Sequence, residues 1–188
     1  MKGVVIKSFE AFLEDGGHEA LADEAFSLET LSSSGAYTNV GNYPASDLIS
    51  MVVHISEKTG QPAGLLVRDF GEHLFHVLAS AHADIIEGFT SCVDMLAGIE
   101  SVIHRDVRKL YSSAELPQFD VENRNGDQSI TLVYRSSRPF ADLAEGLIRG
   151  AFAHYGIKKV SSLNRYDLAP DGTHSKFEVA VSNGNAAG

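Results

Sequence analysis

The sequence predicts an α+β protein, a helical N-terminal part packed on a C-terminal part that carries a roughly four-stranded antiparallel sheet and helices. Three observations predict it. Up to Tyr111, apolar residues recur mainly at steps of three and four, the helical period. After Pro117 the texture changes, and Asn125-Gly126-Asp127 is a hairpin-turn signal. Further on, Pro170-Asp171-Gly172 separates two apolar runs of strand length.

Taken in order, Val4 to Leu13 sets Val5, Phe9, Phe12 and Leu13 at helical spacing, and a second such pattern spans Ala20 to Phe26. Ser32-Ser33-Ser34-Gly35 and the stretch from Asn39 to Pro44 read as loop. Ser46-Asp47 is placed to cap a helix carrying Leu48, Ile49, Val52, Val53 and Ile55, which Thr59-Gly60-Gln61-Pro62 ends. Leu65, Leu66, Phe70, Leu74, Phe75 and Leu78 mark another helix. From Cys92 to Tyr111 runs the longest uninterrupted helical pattern, with Leu96, Ile99, Ile103, Val107 and Leu110 as its apolar stripe. Ser129 to Arg138 reads as a strand, Ala141 to Tyr155 as a helix, and Val160 to Tyr166 and Phe177 to Val181 as two late strands. The Gly/Asn/Ala tail from Asn183 is expected to fray.

Composition narrows the class. At 188 residues, with 44% apolar and 21% charged residues, the chain suits one compact domain able to enclose a ligand. No run approaches the ~18 apolar residues of a membrane span, so no membrane insertion is expected. The charged opening Met1-Lys2-Gly3-Val4-Val5-Ile6-Lys7 does not read as a secretion signal. A formal charge of −10 disfavours nucleic acid as a partner. With a single cysteine, Cys92, no internal disulfide can form, which fits a reducing compartment, and a cytoplasmic location is expected.

Two features carry chemistry. In a strand, residues two apart share a face, so Tyr134, Ser136 and Arg138 would present a phenol, a hydroxyl and a guanidinium in one row. Such a row suits an anion, above all one with flexible carboxylates; an ordinary polar sheet face would look the same. His104 lies beside the stripe of Ile99, Ile103 and Val107. An imidazole facing an apolar interior needs a partner, because an unpaired buried polar group costs about 1–3 kcal/mol. Haem iron is one such partner, and a core histidine satisfied by the backbone is the plainer one.

Together these segments resemble a known family. The run Ile99-Glu100-Ser101-Val102-Ile103-His104-Arg105-Asp106-Val107-Arg108-Lys109-Leu110-Tyr111, with Leu116-Pro117 after it, is similar to the proximal-helix region of bacterial haem-nitric oxide/oxygen binding (H-NOX) domains. Tyr134-x-Ser136-x-Arg138 matches that family's propionate-binding motif. Met1-Lys2-Gly3, Phe70-Gly71-Glu72-His73-Leu74-Phe75 and Glu145-Gly146-Leu147-Ile148-Arg149-Gly150 also look like it, in the expected order. The resemblance covers residues 1–182 as one H-NOX domain, about 1–65 as the helical subdomain and about 66–182 as the haem-bearing α+β part, with 183–188 as a flexible tail. It also links the chain to the haem domain of soluble guanylate cyclase.

The resemblance implies a haem b (iron protoporphyrin IX) whose iron takes His104 as protein ligand, with the propionates on Tyr134, Ser136 and Arg138. It implies that Pro117 presses on the porphyrin, and that Val5, Phe9, Leu74, Leu143 and Leu147 line the distal pocket; without it, all five read as core. Oxygen-binding members supply a distal tyrosine where this chain has Leu143. Losing such a charge-assisted hydrogen bond is worth roughly 1.5–3 kcal/mol. The implied ligand is therefore nitric oxide, with carbon monoxide also possible. The implied output is two-component or similar signalling in trans, to a sensor histidine kinase or a cyclic-di-GMP cyclase/phosphodiesterase, and no catalysis by the chain itself. A dioxygen-binding sensor, a haem-free interaction module and a haem peroxidase are the competing readings. His73, His76, His82 and Asp84 could approach a transition metal but offer no evident fourth ligand, and Cys92 reads as a buried structural thiol.

Overall fold

A computed structural model describes residues 1–111, 114–157 and 160–181, so the expected frayed tail lies outside the described residues. The N-terminal part holds α1 (Gly3–Asp15), α2 (Glu19–Phe26), α3 (Ala45–Thr59) and α4 (Ala63–Ala81). Short α5 (Ala83–Ile86) and α6 (Cys92–Ala97) follow, then a π-helical segment (Ile99–His104) and α7 (Arg105–Leu110). Beyond lie β1 (Gln118–Asn125), β2 (Ser129–Arg135), α8 (Ala141–His154), β3 (Val160–Asp167) and β4 (His174–Val181). No helix among the described residues is long and apolar enough to cross a membrane.

The apolar periodicity explains the helical core. Ile6, Phe9 and Leu13 of α1 and Leu48, Met51, Val52 and Ile55 of α3 close on Leu66, Phe70 and Leu74 of α4. Phe9 and Phe70 meet edge to face at 5.1 Å, a favoured aromatic geometry. Ser46-Asp47 does not cap α3, whose preceding residue Pro44 makes no side-chain cap. Instead the buried Asp47 accepts bonds from Ser32 Oγ (2.6 Å) and Tyr37 Oη (3.0 Å), pinning the Ser-rich loop to the helix.

The four strands are antiparallel in the order β1-β2-β4-β3. The hairpin turns where expected, with Gly126 at φ 53°. Ile130, Leu132 and Tyr134 alternate onto the buried face with Phe177 and Val179 of β4. This second core takes Ala144, Ile148 and Phe152 from α8 and Phe75 from α4. Helices α4 and α8 thus serve both cores, and glycines bring them together. A Cβ at Gly146 would lie 2.0 Å from the Arg68 carbonyl oxygen, and one at Gly71 2.6 Å from that of Leu143.

Two expectations need correction here. The Cys92–Tyr111 helix is broken at Gly98, where Phe89 packs so closely that a Cβ would sit 2.4 Å from its ring. Beyond Gly98 the hydrogen bonding loosens, since the Gly98 carbonyl accepts both the Val102 amide (2.9 Å) and the Ile103 amide (3.3 Å). Leu110, read as the end of the buried stripe, is 61% exposed. Strand β2 ends at Arg135, not Arg138. Ser136 and Arg138 therefore leave the sheet, and strand alternation does not align them with Tyr134.

Candidate functional site

Between the two cores lies a cavity of about 1120 Å³, above the ~300–1,000 Å³ usual for small-molecule sites. His104 lines it from the end of the π-helical segment. A π-turn is a rare departure from the α ladder and recurs at functional sites. Its Nδ1 lies 2.6 Å from Glu100 Oε1, the i, i+4 partner. That is the hydrogen bond the structure gives the ring, and it leaves Nε2 as the nitrogen able to bind a further group. Burial lowers the His104 pKa from its usual value, with the Glu100 contact opposing that shift. A neutral imidazole is the form that ligates metal.

Tyr134, Ser136 and Arg138 also line the cavity. They are brought together by a turn rather than a strand row. Ser136 Oγ accepts the Arg138 backbone amide at 3.1 Å, and the Ser136 amide donates to the Thr173 carbonyl at 2.8 Å, which ties the bend to β4. Tyr134 is 1% exposed, and burial raises its phenol pKa, so it remains a donor at neutral pH. The Arg138 guanidinium engages the Glu115 carboxylate through Nη2 and the Glu115 carbonyl through Nη1 at 3.2 Å. The Arg138 guanidinium at this corner is thus placed to hold a carboxylate. Pro117 lines the cavity from the loop before β1.

Part of the lining is apolar, although Lys2, Asn39, Asn42, Tyr43 and His82 also line the cavity. Val5 of α1, Leu74 of α4 and Leu143 and Leu147 of α8 all line the cavity, and none carries a hydrogen-bond donor. Phe9 is not on this wall. It is fully buried in the helical core against Phe12 and Phe70, because its place in the Ile6/Phe9/Leu13 stripe faces α4. Ile99, Ile103 and Val107 are half-buried because their inner faces line the cavity. The His104 imidazole, a largely apolar lining and the Tyr134, Ser136 and Arg138 corner together fit a flat apolar metallo-ligand with carboxylate arms, as haem is.

A family model described as haem-NO-binding matches residues 2–161. The chain belongs to this family. Solved H-NOX structures share its fold over nearly the whole length. The Fe(II) unliganded H-NOX protein from K. algicida is 29% identical with a TM-score of 0.92, and each chain is covered to 100%. The H-NOX from Shewanella woodyi, solved bound to IWP-051 in the Fe(II)CO state, is 34% identical with a TM-score of 0.77, covering 100% of this chain and 97% of its own. The S. oneidensis H-NOX protein in its Fe(II)NO state is 25% identical with a TM-score of 0.83, covering 97% and 100%. No curated protein matches the chain. The chain is thus an H-NOX domain, of the haem-based gas-sensor family related to the haem domain of soluble guanylate cyclase.

Two partners of the residues lining this H-NOX cavity escape a reading of motifs. Glu100 holds His104, and its i, i+4 spacing was the signal available for that pairing. Glu115 pairs with Arg138 across 23 positions, which no local pattern reveals. Elsewhere, the ring of His73 packs against Phe12 at 5.7 Å, and among the described residues no group of three or more His, Cys, Asp or Glu side chains is placed to hold a metal. Cys92 is buried, and burial pushes its thiol up to about 12.

Proposed function

We propose that this H-NOX domain binds haem b through His104 and senses nitric oxide, acting as a sensor and not as a catalyst. The observation that carries this reading is the donor-free wall of Val5, Leu74, Leu143 and Leu147 in the same cavity as His104. Bound dioxygen gains from a distal donor by roughly 1.5–3 kcal/mol, and these four side chains offer none. Omitting the donor discriminates against dioxygen without weakening a ligand that does not need it. The Fe(II)NO and Fe(II)CO states of the S. oneidensis H-NOX protein are in keeping with nitric oxide, and carbon monoxide, as ligands.

His104 would hold the haem iron, and the haem when bound would supply the metal at which a gas binds. The chain's own residues do the rest. Arg138, Ser136 and Tyr134 would orient the carboxylate arms, and Pro117 would border the ring from the loop before β1. Glu100 joins His104 to the Phe119 amide (3.1 Å), so displacement of His104 reaches the first residues of β1 directly. Movement at Leu143 and Leu147 reaches α4 through the Gly71–Leu143 contact, which couples the two cores. Two alternative packings of this interface would give the ligand a conformation to select. The output we propose is in trans, in the cytoplasm, to a sensor histidine kinase or a cyclic-di-GMP cyclase/phosphodiesterase.

The test is an absorption spectrum of the ferrous protein, first in air and then with nitric oxide. A Soret band that forms no stable oxygen complex in air and shifts on nitric oxide to the signature of a lost axial histidine is the expected result. A stable oxygenated spectrum would favour a dioxygen sensor, and a colourless protein grown with haem available would exclude haem sensing.

A further inference from the structure

We propose that Glu100 is a positioning residue that sets how strongly His104 binds iron, its carboxylate drawing on the imidazole N–H while Arg108 tempers the pull. The inference rests on the haem reading above and concerns how the site is tuned.

Three contacts meet on this carboxylate. Oε1 accepts from His104 Nδ1 at 2.6 Å and from the Phe119 backbone amide at 3.1 Å, while Oε2 accepts from Arg108 Nη2 at 3.2 Å. The first is at the short end even for charge-assisted N–H···O bonds, about 2.7–2.9 Å. The second anchors the carboxylate, because swinging away would strip the amide of buried Phe119 of its partner. Side-chain exposures of 12% for His104 and 27% for Glu100 keep this pair out of bulk water.

The electronic consequence follows from hydrogen-bond direction. An imidazole that donates its Nδ1 proton to an anion holds more electron density at Nε2 and binds a metal more strongly. Arg108 acts in the opposite sense, since a cation on Oε2 draws density from the same carboxylate. A neutral acceptor at position 100 would orient the ring as well but would not supply that density. Charge can therefore be separated from mere support.

The experiment uses the full chain loaded with haem and reduced. It records the iron–histidine stretching frequency by resonance Raman, the midpoint potential, and the rate of haem loss to an acceptor protein. In Glu100→Gln, which keeps an acceptor but removes the charge, the stretch should fall, the potential should rise, and haem should leave about ten-fold faster or more. In Arg108→Ala the stretch and the potential should move the opposite way, by less. Unchanged stretch and potential in Glu100→Gln, with His104 still ligated, would overturn the proposal. If Glu100→Gln fails to fold, Arg108→Ala decides alone: its side chain is 47% exposed, and an unmoved stretch there is equally fatal. A wild-type protein that takes up no haem, or shows no iron–histidine stretch, defeats the haem reading itself.

Discussion

The two walls of the cavity are built on different principles. On one side, Val5, Leu74, Leu143 and Leu147 present hydrocarbon, backed by two helices locked at Gly71 and Gly146. On the other, His104, Tyr134, Ser136 and Arg138 present polar atoms already engaged with Glu100, Glu115 and backbone amides. The apolar wall can act only by shape and by what it withholds. The polar wall acts by charge and hydrogen bonding, and it is held by loops, a turn and a π-helical segment. Ligand discrimination and cofactor retention are therefore separable, and substitutions on the two sides should have different signatures.

The largest effect is expected on the polar wall. His104→Gly should purify without a Soret band and regain one when imidazole is supplied in its place. A variant that keeps the wild-type spectrum would remove His104 from the site. Next comes the backing of the apolar wall. In Gly146→Ala the added methyl meets the Arg68 carbonyl, and the protein should lose roughly 3 kcal/mol, or 6–12 °C in Tm. Urea denaturation of the two proteins side by side measures it, and an unchanged midpoint would mean the helices can part freely.

A sharper test of the contrast is Leu143→Tyr, which places a donor on the withholding wall. Dioxygen affinity of the ferrous protein should rise about 10- to 100-fold while haem retention stays near wild type. Haem loss instead would show that the two walls are not independent. The smallest effect concerns Cys92, behind the polar wall in the sheet core. With its thiol pushed up to about 12 and its side chain buried, the protonated form persists at pH 8. A disulfide-exchange reagent should leave the folded protein unmodified and react once denaturant is added.

Much of the fold was legible. The hairpin at Asn125-Gly126-Asp127, the α1, α3 and α4 stripes and the β3–β4 turn all fall where periodicity and turn chemistry put them, because those signals act over a few residues. Two local readings fail for one reason: a partner outside the local pattern intervened. Asp47 looks like a cap but serves Ser32 and Tyr37. The Cys92–Tyr111 stripe looks continuous, but Phe89 seats on Gly98 and divides it. Phe9 is the reverse case: the family resemblance implied the pocket, but its own helical stripe reads as core, and it packs there against Phe70.

By itself the sequence determined which residue types are available to the site: one imidazole on an apolar stripe, a Tyr-Ser-Arg cluster, and a leucine where a donor would matter. It determined too that the chain would be helical first and sheet-bearing later. Only the tertiary structure decided that Tyr134, Ser136 and Arg138 converge through a turn, since β2 ends before two of them. Only it decided that Glu100, besides holding His104, serves the Phe119 amide nineteen positions away from it. Spacing along a helix or strand determines which side chains share a face, but a bond between segments depends on how their cores pack, and that packing is settled by the chain as a whole.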